Sequence, residues 1–161
     1  EMPLSYVERM AAEKARAALH RLEHEMAELR DGWVVAADTV VIVDGDTLGK
    51  PHSDDEARAQ IRRLSGRAHQ VITAVAIGRV EGPFEVRSEH TRVHFRTLGD
   101  VEIDAYVATG EGRDKCGAYG IQGLGGGLVE RVEGCYYNVV GLPLAQTLAR
   151  MVELGALTSW P

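Results

Sequence analysis

One run limits the fold of this chain more than any other: "WVVAADTVVIVD", Trp33 to Asp44. Short apolar runs rich in β-branched residues fill strands buried on both faces, and Asp44-Gly45-Asp46 supplies the turn that follows. Between Trp33 and Val43 the run carries one charged side chain, Asp38. A buried carboxylate is expensive unless it is paired or holds a metal. Asp38 is therefore either an Asp that caps a neighbouring turn at a strand end or a functional group. Thr39 follows it and Lys50 lies just past the next turn, which favours the second reading. An Asp and a Lys on adjacent strand ends can hold a metal and a phosphate respectively.

Around this strand the periodicity alternates between helix and sheet. Pro3 to Arg30 reads as one long helix, because Val7, Ala11, Ala15, Ala18, Leu22, Met26 and Leu29 recur at helical spacing before Asp31-Gly32 ends it. Ser53-Asp54-Asp55-Glu56 is a capping-box pattern that starts a helix running to about Ser65-Gly66. "HQVITAVAIGRV" and "FEVRSEHTRVHFRT" flank Glu81-Gly82-Pro83 as two long paired strands, the second alternating from Val86 to Phe95 with one wet face. Asp100 to Thr109 is a short helix closed by Gly110. "LVERV" and "CYYNVV" read as two short strands, and Pro143 opens a last helix ending at Gly155. No linker or repeat divides the 161 residues. The mixed order predicts a single α/β or α+β domain over 1–161.

Several function classes fall away on composition. A net charge of −6 with no basic stripe excludes nonspecific nucleic-acid binding. No apolar run approaches the roughly 20 residues that span a bilayer, and no signal-peptide pattern is present. A net-negative chain can still handle a small polyanion where a few basic residues converge and a divalent metal bridges the rest. Cys116 and Cys135 match neither a disulfide framework nor a zinc pattern, and read as small buried residues in a reducing compartment, the cytoplasm. The six histidines lack ligand spacing and read as surface residues. Tyr136 and Tyr137 read as strand packing rather than a base-stacking platform. Lys14, taken alone, is a solvated lysine on the first helix.

The stretch "DKCGAYGIQGLGGG", Asp114 to Gly127, gathers six glycines around Lys115 and Gln122. Glycine this dense marks backbone that must come close to something, either a ligand or another strand. It is not a dinucleotide fingerprint between a strand and a helix. "GDTLGK", Gly45 to Lys50, is too short for a phosphate loop and has Pro51 where Ser or Thr should stand.

Five segments taken together carry more. "AADTVV" at 36–41, "LGKP" at 48–51, "LSGRAHQVITAV" at 64–75, "YVATGEGRDKCGAYGIQG" at 106–123 and "GCYYNVVGLPL" at 134–144 follow in this order. The series resembles the Maf family of nucleoside triphosphate pyrophosphatases over nearly the whole chain. The resemblance implies an elongated mixed α/β fold of two lobes with the substrate in a central cleft, like that of inosine-triphosphate pyrophosphatases. It implies hydrolysis of a nucleoside triphosphate to the monophosphate and pyrophosphate, dependent on a divalent metal, Mg²⁺ or Mn²⁺. Asp38 matches the family's proton acceptor, with metal binding as a second role. Lys14, in A-x-x-K-A, and Lys50, in L-G-K-P, match its phosphate-contacting lysines.

Thr39 and Gln122 match positions tied to base choice, and the Y-G-I-Q-G form resembles the branch acting on dTTP, UTP and modified uridine triphosphates. The sister branch acts on 7-methyl-GTP. An amide offers both a donor and an acceptor to the uracil or thymine edge, where a carboxylate would repel the carbonyl oxygens. On this reading the glycines let backbone amides approach the base while Gln122 reads it. The alternative reading is a nucleotide-binding regulator of cell division, and a homodimer stays open. The family also begins with a strand, an S-x-S-P-R-R phosphate loop and an acidic residue. None of these precedes Glu1, so an N-terminal segment is expected to be missing, and with it one edge of the sheet and part of the triphosphate grip.

Overall fold

The computed structural model describes residues 1–25, 32–80 and 82–159. Its five strands are β1 (Trp33–Val43), β2 (Asp46–Leu48), β3 (Ala68–Arg79), β4 (Phe84–Phe95) and β5 (Val129–Glu133). They form one antiparallel sheet in the order β2-β1-β3-β4-β5. Five α-helices accompany it: α1 (Pro3–Glu25), α2 (Asp54–Leu64), α3 (Asp100–Ala108), α4 (Tyr136–Val140) and α5 (Leu144–Glu153). The mixed α/β class expected from the sequence is the one found. The expected continuation of α1 to Arg30 and its Asp31 stop fall in 26–31, outside the described residues. No helix among the described residues is long and apolar enough to cross a membrane.

Side chains on a strand alternate between faces, so this sheet has two cores. On one face α1 sets Val7, Ala11 and Ala15, all fully buried, against Val34, Val40, Ile72, Ala74 and Ala76. Alanines on this stripe let the helix lie close to the strands. On the other face Val41, Val71, Val93 and Phe95 meet Ile61 and Leu64 of α2 and Ile103 and Val107 of α3. Each such fully buried Leu or Ile contributes roughly 1.5–3 kcal/mol. Ser53 caps α2 as its pattern predicts, accepting from the Glu56 amide at 3.1 Å while Glu56 accepts from the His52 amide at 2.8 Å.

The β1–β2 turn positions the later site. Asp44 and Gly45 both take positive φ, 54° and 84°, as a tight two-residue hairpin requires. The hairpin is short: β2 pairs only Val41↔Leu48 through Val43↔Asp46. From Trp33 to Val40, β1 has β3 as its one strand neighbour among the described residues. This corrects the expectation of a strand buried on both faces. Val40, Val41 and Val43 are buried, but Ala36 to Thr39 are only half-buried.

Three other expectations change. "CYYNVV" is not a strand; its core is the helix α4, bracketed by Gly134 and Gly141 at φ 116° and 121°. Tyr136 and Tyr137 are consequently exposed and meet edge-to-face at 5.6 Å instead of packing in a sheet. His69 is not on the surface: it is 3% exposed, inside the α2/α3 core.

Candidate active site

Asp38 lies on β1 opposite Ala74 of β3, so its side chain faces α1. There Lys14 donates to Asp38 Oδ1 and, at 3.2 Å, to the carbonyl of Ala37. Asp38 retains 16% exposure and Lys14 50%, so the pair stands at the mouth of the core rather than within it. Lys14 is thus tethered across 24 residues of sequence, and is not the freely solvated lysine that its helix alone suggests.

Thr39 points to the opposite face. Its hydroxyl lies 2.8 Å from that of Thr73, which itself donates to the carbonyl of Asn138 at 2.8 Å. Thr39 is then the donor of the pair, and it keeps only lone pairs for the cleft. Asn138 is fully buried and behaves as a side-chain strand: its carbonyl accepts from the Thr73 amide at 3.1 Å, and its NH₂ donates to Val71 O at 3.1 Å and Thr91 Oγ1 at 2.9 Å.

Lys50 follows β2, and its approach is fixed by a bond from the Gly117 amide to the carbonyl of Gly49 at 3.2 Å. Gly117 has φ 74°, and a Cβ there would meet Val41 Cγ1 at 3.1 Å. Gln122 sits on the turn 120–125 that follows. Asp38, Thr39, Lys14, Lys50 and Gln122 all line one cleft of about 430 Å³, a size suited to a small molecule. Side chains from both faces of β1 reach it, Asp38 from one and Thr39 and Val41 from the other. A neighbouring hollow of about 520 Å³ shares Asp38, Thr39, Lys50 and Cys116 with it.

The cleft also holds residues that sequence reasoning left without a role. Val139 and Val140 form part of an apolar wall, and Lys115 adds a third ammonium beside Asp114 at 3.1 Å. Cys116 is half-buried in the wall and free, where full burial was expected. Burial pushes its thiol pKa up and the Asp38 charge adds to this, against the opposing pull of Lys50 and Lys14.

Glu111 matters most among the unpredicted residues. Its carboxylate accepts from the Leu124 amide at 2.7 Å, the Gly125 amide at 2.9 Å and the Tyr106 hydroxyl at 3.0 Å. Burial pushes its pKa up, but those donors and Lys115 outweigh the effect and hold it below the usual carboxylate range. The Tyr106 hydroxyl in turn accepts from the Gly120 amide at 3.1 Å. A Cβ at Gly123 would fall 2.3 Å from Glu111 Oε2, and one at Gly125 2.8 Å from the Tyr106 hydroxyl. The glycines therefore allow close approach to Glu111 and Tyr106, and the amides of Leu124 and Gly125 are already engaged there. That corrects the expectation of backbone amides freed to meet a base. The usable signal was three glycines, at 120, 123 and 125, shortly after Glu111.

Among the described residues no three His, Cys, Asp or Glu side chains cluster to hold a metal. A single carboxylate suits Mg²⁺ when substrate phosphates complete the shell.

A mixed α/β domain with an ion-paired carboxylate on β1, two further lysines and a polar turn facing it defines a protein built to take a small, phosphate-bearing ligand. The chain belongs to the Maf-like protein family, whose model matches residues 1–154. It is 47% identical over 156 residues to the dTTP/UTP pyrophosphatase of Syntrophomonas wolfei, covering 96% of this chain and 79% of that protein. It is 51% identical over 155 residues to the dTTP/UTP pyrophosphatase of Methylobacillus flagellatus, covering 96% and 75%. The protein of that name from Hahella chejuensis is 48% identical over 155 residues, covering 96% and 75%.

Proposed function

We propose that this chain hydrolyses nucleoside triphosphates, dTTP and UTP foremost, to the monophosphate and pyrophosphate, as a house-cleaning enzyme of the cytoplasmic nucleotide pool. Family membership and relatives named dTTP/UTP pyrophosphatase support the reaction. The observation that carries it is the cleft itself, which sets Asp38 and Lys14 in contact and gathers Lys50 and Gln122 with them.

In the proposed reaction Lys14 and Lys50 grip the triphosphate by charge-assisted hydrogen bonds. Asp38 has one oxygen occupied by Lys14, and its second accepts the proton of the water that attacks the α-phosphorus, or meets the metal. Asp38 would hold a divalent ion brought with the nucleotide, and that ion would neutralise the charge that develops on the phosphates. Gln122 offers its amide to the uracil or thymine edge, and Thr39 contributes an acceptor. The apolar wall of Val139 and Val140 excludes water from part of the site.

The test is pyrophosphate release with Mg²⁺ or Mn²⁺ from UTP, dTTP, CTP, GTP and 7-methyl-GTP. Turnover of UTP and dTTP well above the rest is the expected result. Preference for 7-methyl-GTP would keep the reaction and sink the base assignment. Nucleotide binding without pyrophosphate release would favour a regulator of cell division.

A further inference from the structure

We propose that Glu111 is a positioning residue for Gln122: it clamps the turn 120–125 so that the base-facing amide stands at one fixed height above the cleft. The inference rests on Gln122 contacting the base, as in the function proposed above. Among the described residues no hydrogen bond tethers the Gln122 side chain, so the turn that carries it supplies the order. Glu111 supplies it from the middle of the turn outward. Its Oε2 takes the Leu124 amide, two residues past Gln122, and its Oε1 takes the Gly125 amide. Through the Tyr106 hydroxyl the same carboxylate reaches the Gly120 amide, two residues before Gln122. Both flanks of Gln122 are thereby fixed to one side chain. Two short bonds to an ionised acceptor are the strong kind.

The backbone leaves room for this contact. At Gly123 the carboxylate occupies the space of a Cβ, with Oε2 at 2.3 Å and Cδ at 2.7 Å. Gly120 would meet Glu111 Oε1 at 3.3 Å and Lys115 Cε at 3.1 Å. Lys115 lines the same cleft, and its charge helps to lower the Glu111 pKa.

Glu111→Gln tests the role, because its NH₂ cannot accept and must face an amide donor. The readout is calorimetric binding of α,β-imido-UTP, α,β-imido-CTP and inorganic tripolyphosphate, which needs no turnover. In Glu111→Gln the preference for the uridine over the cytidine analogue falls about tenfold, while tripolyphosphate affinity changes less than twofold. In a Gln122→Ala background Glu111→Gln costs no further preference. A preserved preference, an additive double variant or tripolyphosphate binding lost in step with the uridine analogue would each overturn the role. Should Glu111→Gln fail to fold by circular dichroism, Tyr106→Phe removes only the hydroxyl and moves the same ratio in the same direction. A wild-type protein that prefers the uridine analogue but releases no pyrophosphate from UTP defeats the hydrolysis and leaves the positioning standing. A wild-type protein with no such preference overturns the positioning whatever its turnover.

Discussion

At the scale of single residues, Asp38 separates function from stability. Its partner Lys14 is half-exposed, and an ion pair with that much water contributes about 1 kcal/mol or less. Asp38→Asn keeps the shape and one acceptor for Lys14, so urea unfolding should shift by less than about 1 kcal/mol. Turnover of UTP should nevertheless fall by about 10²–10⁴, the loss typical of a missing positioned base. Loss of activity in proportion to loss of folded protein would refute the assignment. Asp38 was legible because one charge interrupts a run of valines and alanines. The contact with Lys14, 24 residues away and on a different element, was not, since no local pattern encodes it. Glu111 was hidden for a related reason: an acid just after Thr109-Gly110 looks like the end of a helix until the turn 120–125 is seen folded onto it.

At the scale of elements, α4 is where local preference and structure part. Tyr, Val and Cys favour strands mainly through the surfaces they pack on, and that preference yields readily to tertiary context. Here the context is Asn138. From its helical turn its amide reaches Val71 O, the Thr73 amide and Thr91 Oγ1 together. The flanking glycines at positive φ were the local clue to a break on each side. Asn138→Ala removes, at a fully buried position, the amide that bonds the Thr73 amide, Val71 O and Thr91 Oγ1. Each unsatisfied buried group costs about 1–3 kcal/mol, so the variant should lose about 3 kcal/mol or more in urea unfolding. It should also weaken nucleotide binding, because Thr39 depends on Thr73 and Thr73 on Asn138. A loss below about 1 kcal/mol would mean the amide is replaceable by water. β3, β4 and α2 needed no such context, since their hydrophobic patterns agree with their final burial.

At the scale of the whole molecule, one sheet carries two cores, and the site lies along β1 between them. The α2/α3 core is sealed by His69, Phe95 and Tyr119, whose rings meet edge-on at 4.8–5.5 Å. His69 Nε2 lies 2.8 Å from the Tyr119 hydroxyl, and its Nδ1 is buried without a partner. Burial, helped by the charge of His94, pushes the His69 pKa down from 6.5 to about 4. The sign follows from proton uptake. Between pH 6.5 and 4 the unfolded chain binds a proton at this position that the folded chain refuses, so stability falls as pH falls through that window. A shift of this size corresponds to roughly 3 kcal/mol, fully present above pH 6.5 and lost toward pH 4. The carboxylates held below their ordinary values, Glu85, Glu102 and Glu111 among them, lose their contribution only below about pH 4.5. Urea unfolding of the wild-type chain from pH 7.5 to 4.5 should therefore show a steady decline. His69→Gln, which keeps a polar contact for Tyr119 but takes up no proton, should flatten it. Parallel pH profiles for the two proteins would place the acid sensitivity elsewhere in the fold, and would mean that the core around Phe95 opens to water before His69 is charged.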